Sequence, residues 1–303
     1  MNVFLTGATG FVGAEMVRQL RAAGHSVRAL VRSMQSPSSE HLVSSHCVEL
    51  YRGNILEAGS LTGSLDGMDA VIHLVGIISE VGENTFENVH TLGTKNMVDA
   101  ANHAGVKRFM QMSALGVRAD AVARYHRSKW AAEELVRSSG LDFTIFRPSI
   151  IYGSEDHFVN FFARLSRWSP VLPVMGSGQG TLQPICIGDV AHFFLNSLND
   201  PRAFGQTYDL CGPDILTMPA ILKTICDVTG RKRWQIRVPL TLARMQAALL
   251  EFIFPTLLRK ASPLTRDQLI MLEERTIGNG IPANLLFGIA PPHFREGIAV
   301  YLK

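Results

Sequence analysis

The chain has 303 residues, is 47% hydrophobic and carries 29 Lys and Arg against 26 Asp and Glu. A net charge of +3 without a long basic run argues against a nucleic-acid surface and against an acidic tail, and the size suits one large domain or a domain with a smaller lobe. Cys47, Cys186, Cys211 and Cys226 are scattered with no C-x-x-C pair, which argues against a metal site or a disulfide framework and for a reducing compartment.

The apolar run Val3–Leu5 leads straight into Thr6-Gly7-Ala8-Thr9-Gly10-Phe11-Val12-Gly13, and a helical pattern follows over Ala14–Ala23. Strand, glycine turn and helix in this order form a dinucleotide-binding signature. Gly7 suits a tight turn closed to side chains. A Cβ at Gly10 would strike a pyrophosphate lying on the loop, and Gly13 lets the helix pack on the strand. The free N–H groups and dipole of the helix start then favour phosphate. A strand opening at the second residue predicts no cleaved leader, hence a cytoplasmic chain.

The second strand, Val27–Val31, ends in Arg32-Ser33 with no Asp or Glu at its tip. An acid there would bind the ribose hydroxyls of NAD(H). Arg32 instead matches a 2′-phosphate in charge and shape, so NADP(H) is expected over NAD(H), with a solvated surface arginine as the competing reading.

Further strands are predicted at Val48–Tyr51, Ala70–Val75, Phe109–Met112 and Phe143–Phe146, with helices at Glu87–Ala104 and Val122–Ser138. Short buried runs alternating with amphipathic helices predict an α/β fold with a doubly wound parallel sheet. Ligands are then expected beyond the carboxyl ends of the strands. Ser169–Gln183 reads as loop, Gln206–Leu210 as a strand returning to the sheet, and the chain from Pro213 as short helices. The expected division is a dinucleotide-binding domain over 1–152, completed by about 185–211, and a smaller, mostly helical lobe over 153–184 and 212–303. His73 is expected as a satisfied core histidine and Asp189 as a helix N-cap. No segment reads as a membrane span, since Arg244, Gln246, Glu251 and Pro255 break the apolar stretch Leu240–Leu258. Ordinary burial is expected for that stretch; a groove for a lipid-like substrate, a partner surface and a membrane-surface helix are the alternatives.

Thr6-Gly-x-x-Gly-x-x-Gly13, the Ile72-His73-Leu74 strand, Tyr125-x-x-x-Lys129 and Arg147-Pro148 followed by Tyr152-Gly153 together resemble an extended short-chain dehydrogenase/reductase. The wording of Tyr125–Glu133 and Pro263–Leu269 is similar to an atypical branch of that family. This branch includes the nucleotide-binding accessory subunit of mitochondrial complex I and bacterial relatives described as nucleoside-diphosphate-sugar epimerases. The resemblance implies Tyr125 as acid/base, Lys129 as ribose anchor and Ser113 as polariser of the substrate oxygen. It also implies that Val75, Gly76 and Pro148 lie along the cofactor and that Asn54 sits near adenine. Tyr125 and Lys129 share a helix face, and an adjacent ammonium is expected to lower the phenol.

Two departures stand out. Only twelve positions separate Ser113 from Tyr125, and His90 occupies the place of the family's asparagine, three residues before Gly93-Thr94. Hydride transfer between NADP(H) and a carbonyl or alcohol is the leading expectation, with a small hydrophobic substrate such as a quinone precursor or lipid. The alternatives are a non-catalytic accessory or assembly factor of a respiratory complex, peripheral to the inner membrane, and a sugar-nucleotide epimerase drawing on Arg231, Arg233, Arg237 and Arg244.

Overall fold

A computed structural model describes residues 1–302. The first half alternates β1 (Asn2–Thr6), α1 (Phe11–Ala22), β2 (Ser26–Val31), α2 (Pro37–His46), β3 (Glu49–Arg52) and β4 (Ala70–His73). It continues through α3 (Gly93–His103), β5 (Arg108–Met112), α4 (Arg124–Arg137) and β6 (Asp142–Pro148). After β7 (Ile151–Tyr152), α5 (Phe158–Trp168), β8 (Val171–Met175), β9 (Thr181–Leu182), β10 (Ile185–Cys186) and α6 (Ile187–Ser197), the chain re-enters the main sheet as β11 (Gln206–Leu210). The remainder comprises β12 (Leu216–Thr217), α7 (Met218–Val228), β13 (Trp234–Val238), α8 (Leu240–Ile253), α9 (Arg266–Glu273), α10 (Ile281–Phe287) and α11 (Phe294–Ala299).

Seven strands form the sheet β11-β6-β5-β4-β1-β2-β3, and every neighbouring pair is parallel. The order reverses between β1 and β4, so the crevice beyond their carboxyl ends is the topological switch point where ligands bind in such sheets. The expected doubly wound Rossmann fold is therefore present, with a helical C-terminal region. Both faces of the sheet are covered. Phe146, Phe193, Phe194 and Leu5 belong to one apolar core, and Phe4, Phe109, Met97 and Ile145 to the other. This double cover explains why the central strands are continuous apolar runs rather than alternating ones.

Several expectations need correction. Ser169–Gln183 is not all loop, because β8 pairs in parallel with β13 and β9 pairs with β12. Pro173 and the surrounding glycines hid a strand that sits in a two-stranded ribbon, where proline is tolerated. Asp189 is not an N-cap: Cys186 caps α6, and Asp189 lies in its first turn with Oδ2 buried and unpartnered. His73 is only half satisfied, since its Nδ1 meets Thr6 Oγ1 at 2.7 Å while its Nε2 has no partner among the described residues.

Ordinary burial of Leu240–Leu258 is also overturned. The segment is one run of 19 helical residues of mean hydropathy 1.2, of which only 11% is buried. Length and composition alone would let it cross a membrane. Its small face, Ala243 and Ala247, packs against Leu269 with Val238 and Met175 alongside, which ties it to the lobe.

Candidate nucleotide and proton-transfer site

The loop between β1 and α1 is built by its glycines. Gly7 adopts φ +78°, and its carbonyl accepts from the Gly10 N–H at 3.0 Å. A Cβ on Gly13 would lie 2.1 Å from the Gly7 oxygen, so only glycine allows α1 to close on the loop. A Cβ on Gly10 would meet nothing but that oxygen, at 3.3 Å, because its other side opens outward. Gly10 caps α1 without a side-chain hydrogen bond, which leaves the first-turn N–H groups free for an anion. A cleft of about 470 Å³ adjoins the loop, walled by Thr9, Gly10 and Phe11 on one side and by Pro37, Ser38 and His41 of α2 on the other. Thr6 and Val12 are buried beneath the loop and shape it from below. The α2 wall was not anticipated from sequence.

The end of β4 joins this loop to α4. A Cβ on Gly7 would touch the Val75 nitrogen at 3.3 Å, and a Cβ on Gly76 would lie 2.9 Å from Lys129 Nζ. The strand expected to reach Val75 stops at His73, and the irregular Leu74–Val75 backbone lies against Gly7. Lys129 is buried and donates to the Met112 carbonyl at 3.0 Å. Burial pushes its pKa down to about 8, against an opposing pull from Glu133.

Tyr125 stands one turn earlier on α4, half-buried, in edge contact with His90 and Phe86. Its hydroxyl has no hydrogen-bond partner among the described residues. The expectation that Lys129 lowers the phenol fails in this arrangement: burial raises Tyr125 to about 12. The ammonium is turned to Met112 and Gly76, so desolvation is left unopposed.

His90 sits in a π-helical turn, Glu87–Leu92, that runs into α3. Such turns often mark functional sites. Its Nε2 accepts from the Ile77 N–H at 3.0 Å, which requires the proton on Nδ1. Nδ1–H donates to Ser128 Oγ at 2.8 Å, and that hydroxyl donates to the Tyr125 carbonyl at 2.8 Å. Burial first, and Lys129 next, push the pKa of His90 down to about 2, so it stays neutral. Both nitrogens are thus engaged in fixing the loop after β4 and the first turn of α4. His90 positions these elements.

Ser113 follows β5, but its Oγ donates to Glu133 Oε1. Glu133 is fully buried and also receives Arg147 Nε at 2.8 Å, Arg147 Nη2 at 2.6 Å and Arg137 Nη2 at 2.6 Å. The hydroxyl proton of Ser113 is directed to this carboxylate, so polarising a substrate oxygen would require the hydroxyl to turn from Glu133. The Asn54 side chain folds back on its own loop, accepting from Leu56 N at 3.2 Å and donating to Glu57 at 3.3 Å. Arg32 is exposed just beyond β2 and has no ion-pair partner among the described residues. The Pro148 carbonyl accepts from Leu115 N at 2.9 Å, which places the end of β6 beside the segment after β5.

Asp267 was not anticipated. Its carboxylate accepts from the backbone N–H of Arg124 at 2.7 Å and of Tyr125 at 2.9 Å, capping α4 from α9. This is a contact across 142 residues, and no local sequence signal announces it.

A family model described as NAD(P)H-binding matches residues 7–201. The chain belongs to this NAD(P)H-binding family. It is 29% identical over 272 residues to NADH dehydrogenase (ubiquinone) 1 alpha subcomplex subunit 9, mitochondrial, of Arabidopsis thaliana, covering 88% of this chain and 67% of that one. The mouse subunit is 30% identical over 228 residues, 74% of this chain and 60% of its own. The chain therefore spans about two thirds or less of the length of these subunits. Ceramide reductase of Caulobacter vibrioides is 31% identical over 238 residues, 78% of this chain and 73% of the reductase. Among solved structures, a UDP-glucose 4-epimerase from Thermotoga maritima superposes with a TM-score of 0.77 at 18% identity, covering 100% of this chain and 97% of that one, a likeness of fold.

The residues present fit a nicotinamide dinucleotide. The open side of Gly10, the uncapped start of α1 and the approach of Lys129 to Gly76 form a cradle that added Cβ atoms would disturb. Thr6, Gly7, Thr9, Gly10, Phe11, Val12, Gly13, Val75 and Gly76 make up this cradle or its immediate support.

Proposed function

We propose that the chain is an NADP(H)-dependent reductase acting on a carbonyl group of a small hydrophobic substrate. Bound nicotinamide supplies the hydride. Tyr125 donates its proton to the oxygen that becomes the alcohol, and Lys129 holds the ribose. The observation that carries this reading is the meeting of the glycine loop, Gly76 and Lys129 at the switch point of the sheet, with Tyr125 packed against His90 beside Gly76. A phenol raised by burial keeps its proton at neutral pH, the form that the acid role requires. The unpaired guanidinium of Arg32 supports NADP(H) over NAD(H).

A second reading, a nucleotide-binding accessory factor of a respiratory complex at the inner membrane, has its own support. The Ser113 hydroxyl is bonded to Glu133, both ring nitrogens of His90 are bonded within the protein, and relatives are named as complex I subunits. The epimerase reading has less. Arg231 and Arg233 bind Ala163 and Ser166 near the end of α5 rather than standing free for a diphosphate.

Tyr125→Phe distinguishes the first two. With NADPH and a panel of hydrophobic ketones and quinones, a reductase loses turnover by roughly 10²–10⁴-fold and keeps nucleotide affinity. Wild-type protein that binds NADPH without oxidising it against any of the panel supports the accessory reading.

A further inference from the structure

The exposed side of α8 carries a second interaction surface. Leu242, Met245, Leu249 and Phe252 recur at helical spacing and are 55–71% exposed, opposite the buried Ala243 and Ala247. Leu257 and Leu258 extend the apolar strip along the π-helical turn that follows α8. In the same lobe, at the start of β13, Trp234 is 80% exposed, and its N–H bonds to the carbonyl of Pro170, two residues beyond the 89% exposed Trp168. Apolar faces of this extent on one helix mark an interaction site.

The charge beside the strip identifies the partner. Residues 231–260 contain seven Lys and Arg against a single acid, Glu251, in a chain whose total excess is only +3. Glu251 is neutralised by Arg266, with Nε at 2.6 Å. Arg237, Arg244, Arg259 and Lys260 are exposed and have no ion-pair partner among the described residues. A helix with an exposed apolar face and flanking unpaired cations has the composition of one lying in the headgroup region of an anionic bilayer. It lies on the membrane rather than crossing it, because Ala243, Ala247 and the Glu251–Arg266 pair hold its other side to the lobe.

We propose that α8 and the turn after it dock the protein on an anionic lipid surface. The same segment leads directly to the candidate site. Ser262 N donates to Ser79 Oγ at 3.1 Å, in the loop after β4, and Asp267 caps the helix of Tyr125. Docking thus ties the lipid boundary to the segment that touches the loop after β4 and the start of α4. It does not depend on the chemistry assigned to Tyr125.

The test is flotation of the full chain with vesicles of phosphatidylcholine alone and of phosphatidylcholine mixed with phosphatidylglycerol. Binding is expected to the mixed vesicles and not to the neutral ones. The triple substitution Arg244→Gln, Arg259→Gln, Lys260→Gln is expected to lower it by roughly a hundredfold. Leu249→Glu with Phe252→Glu is expected to abolish it. NADPH affinity, measured in parallel, stays at the wild-type value in both variants and reports that they are folded. Equal binding to neutral vesicles, or no binding to either, overturns the proposal. So does a dimer in sedimentation that disappears with Phe252→Glu, since the face then belongs to a second copy.

Discussion

Replacing Lys129 by Met separates stability from nucleotide binding. The ammonium is 2% exposed and has one protein hydrogen bond, to the Met112 carbonyl. Its pKa falls from 10.5 to about 8, which corresponds to ~3 kcal/mol of penalty for keeping the charge in the folded chain. Methionine fills similar volume without the charge. Loss of the hydrogen bond to Met112 returns ~1 kcal/mol of that gain. The variant is therefore expected to be more stable by ~2 kcal/mol near neutral pH, a rise in Tm of several degrees at most. The sign with pH follows from proton binding. Between about 8 and 10.5 the unfolded chain holds a proton on Lys129 that the folded chain lacks, so wild-type stability rises with pH across that window. The advantage of the Met variant is thus full below pH ~8 and fades towards 10.5. Affinity for NADPH moves the other way, because the charged hydrogen bonds to ribose are lost, for ~2 kcal/mol or roughly thirtyfold. Thermal denaturation with and without NADPH, over a pH series, reads both effects. A variant less stable than wild type without nucleotide, or one that binds NADPH unchanged, refutes the reasoning.

Arg32→Ala is expected to weaken NADPH by roughly ten- to a hundredfold and to leave NADH unchanged, as measured by calorimetry. In the wild-type chain, NADPH affinity is expected to fall as pH rises through about 8, where Lys129 loses its charge, and Lys129→Met should remove that step in a fluorescence titration. Glu133→Gln leaves Arg147 and Arg137 beside a neutral amide at a fully buried position, and a loss of ~3 kcal/mol is expected by urea denaturation.

The legible parts of this chain were those specified by neighbours in sequence. Gly7, Gly10 and Gly13 announced the loop because each answers a steric demand within the same turn, and the apolar runs of β1, β4 and β5 announced a covered sheet. Tyr125 and Lys129 were visible as one helix face. What escaped depends on distant partners. Ser113 looked available until Glu133 and Arg147 were brought behind it. The effect of Lys129 on Tyr125 was misjudged because spacing gives proximity but not the direction in which the ammonium turns. Asp267 acts on α4 from the far end of the chain. β8 escaped because proline and glycine are compatible with a two-stranded ribbon, and α8 because hydropathy does not say which apolar residues a lobe will cover.

Calorimetric titration of the full chain with NADPH, and separately with NADH, tests the central claim most directly: that the β1–α1 loop and Lys129 together hold a pyridine dinucleotide. Saturable one-to-one binding, tighter for NADPH and lost when Gly13 is replaced by Val, is the expected result. No heat with either nucleotide, or binding indifferent to Gly13→Val, contradicts it.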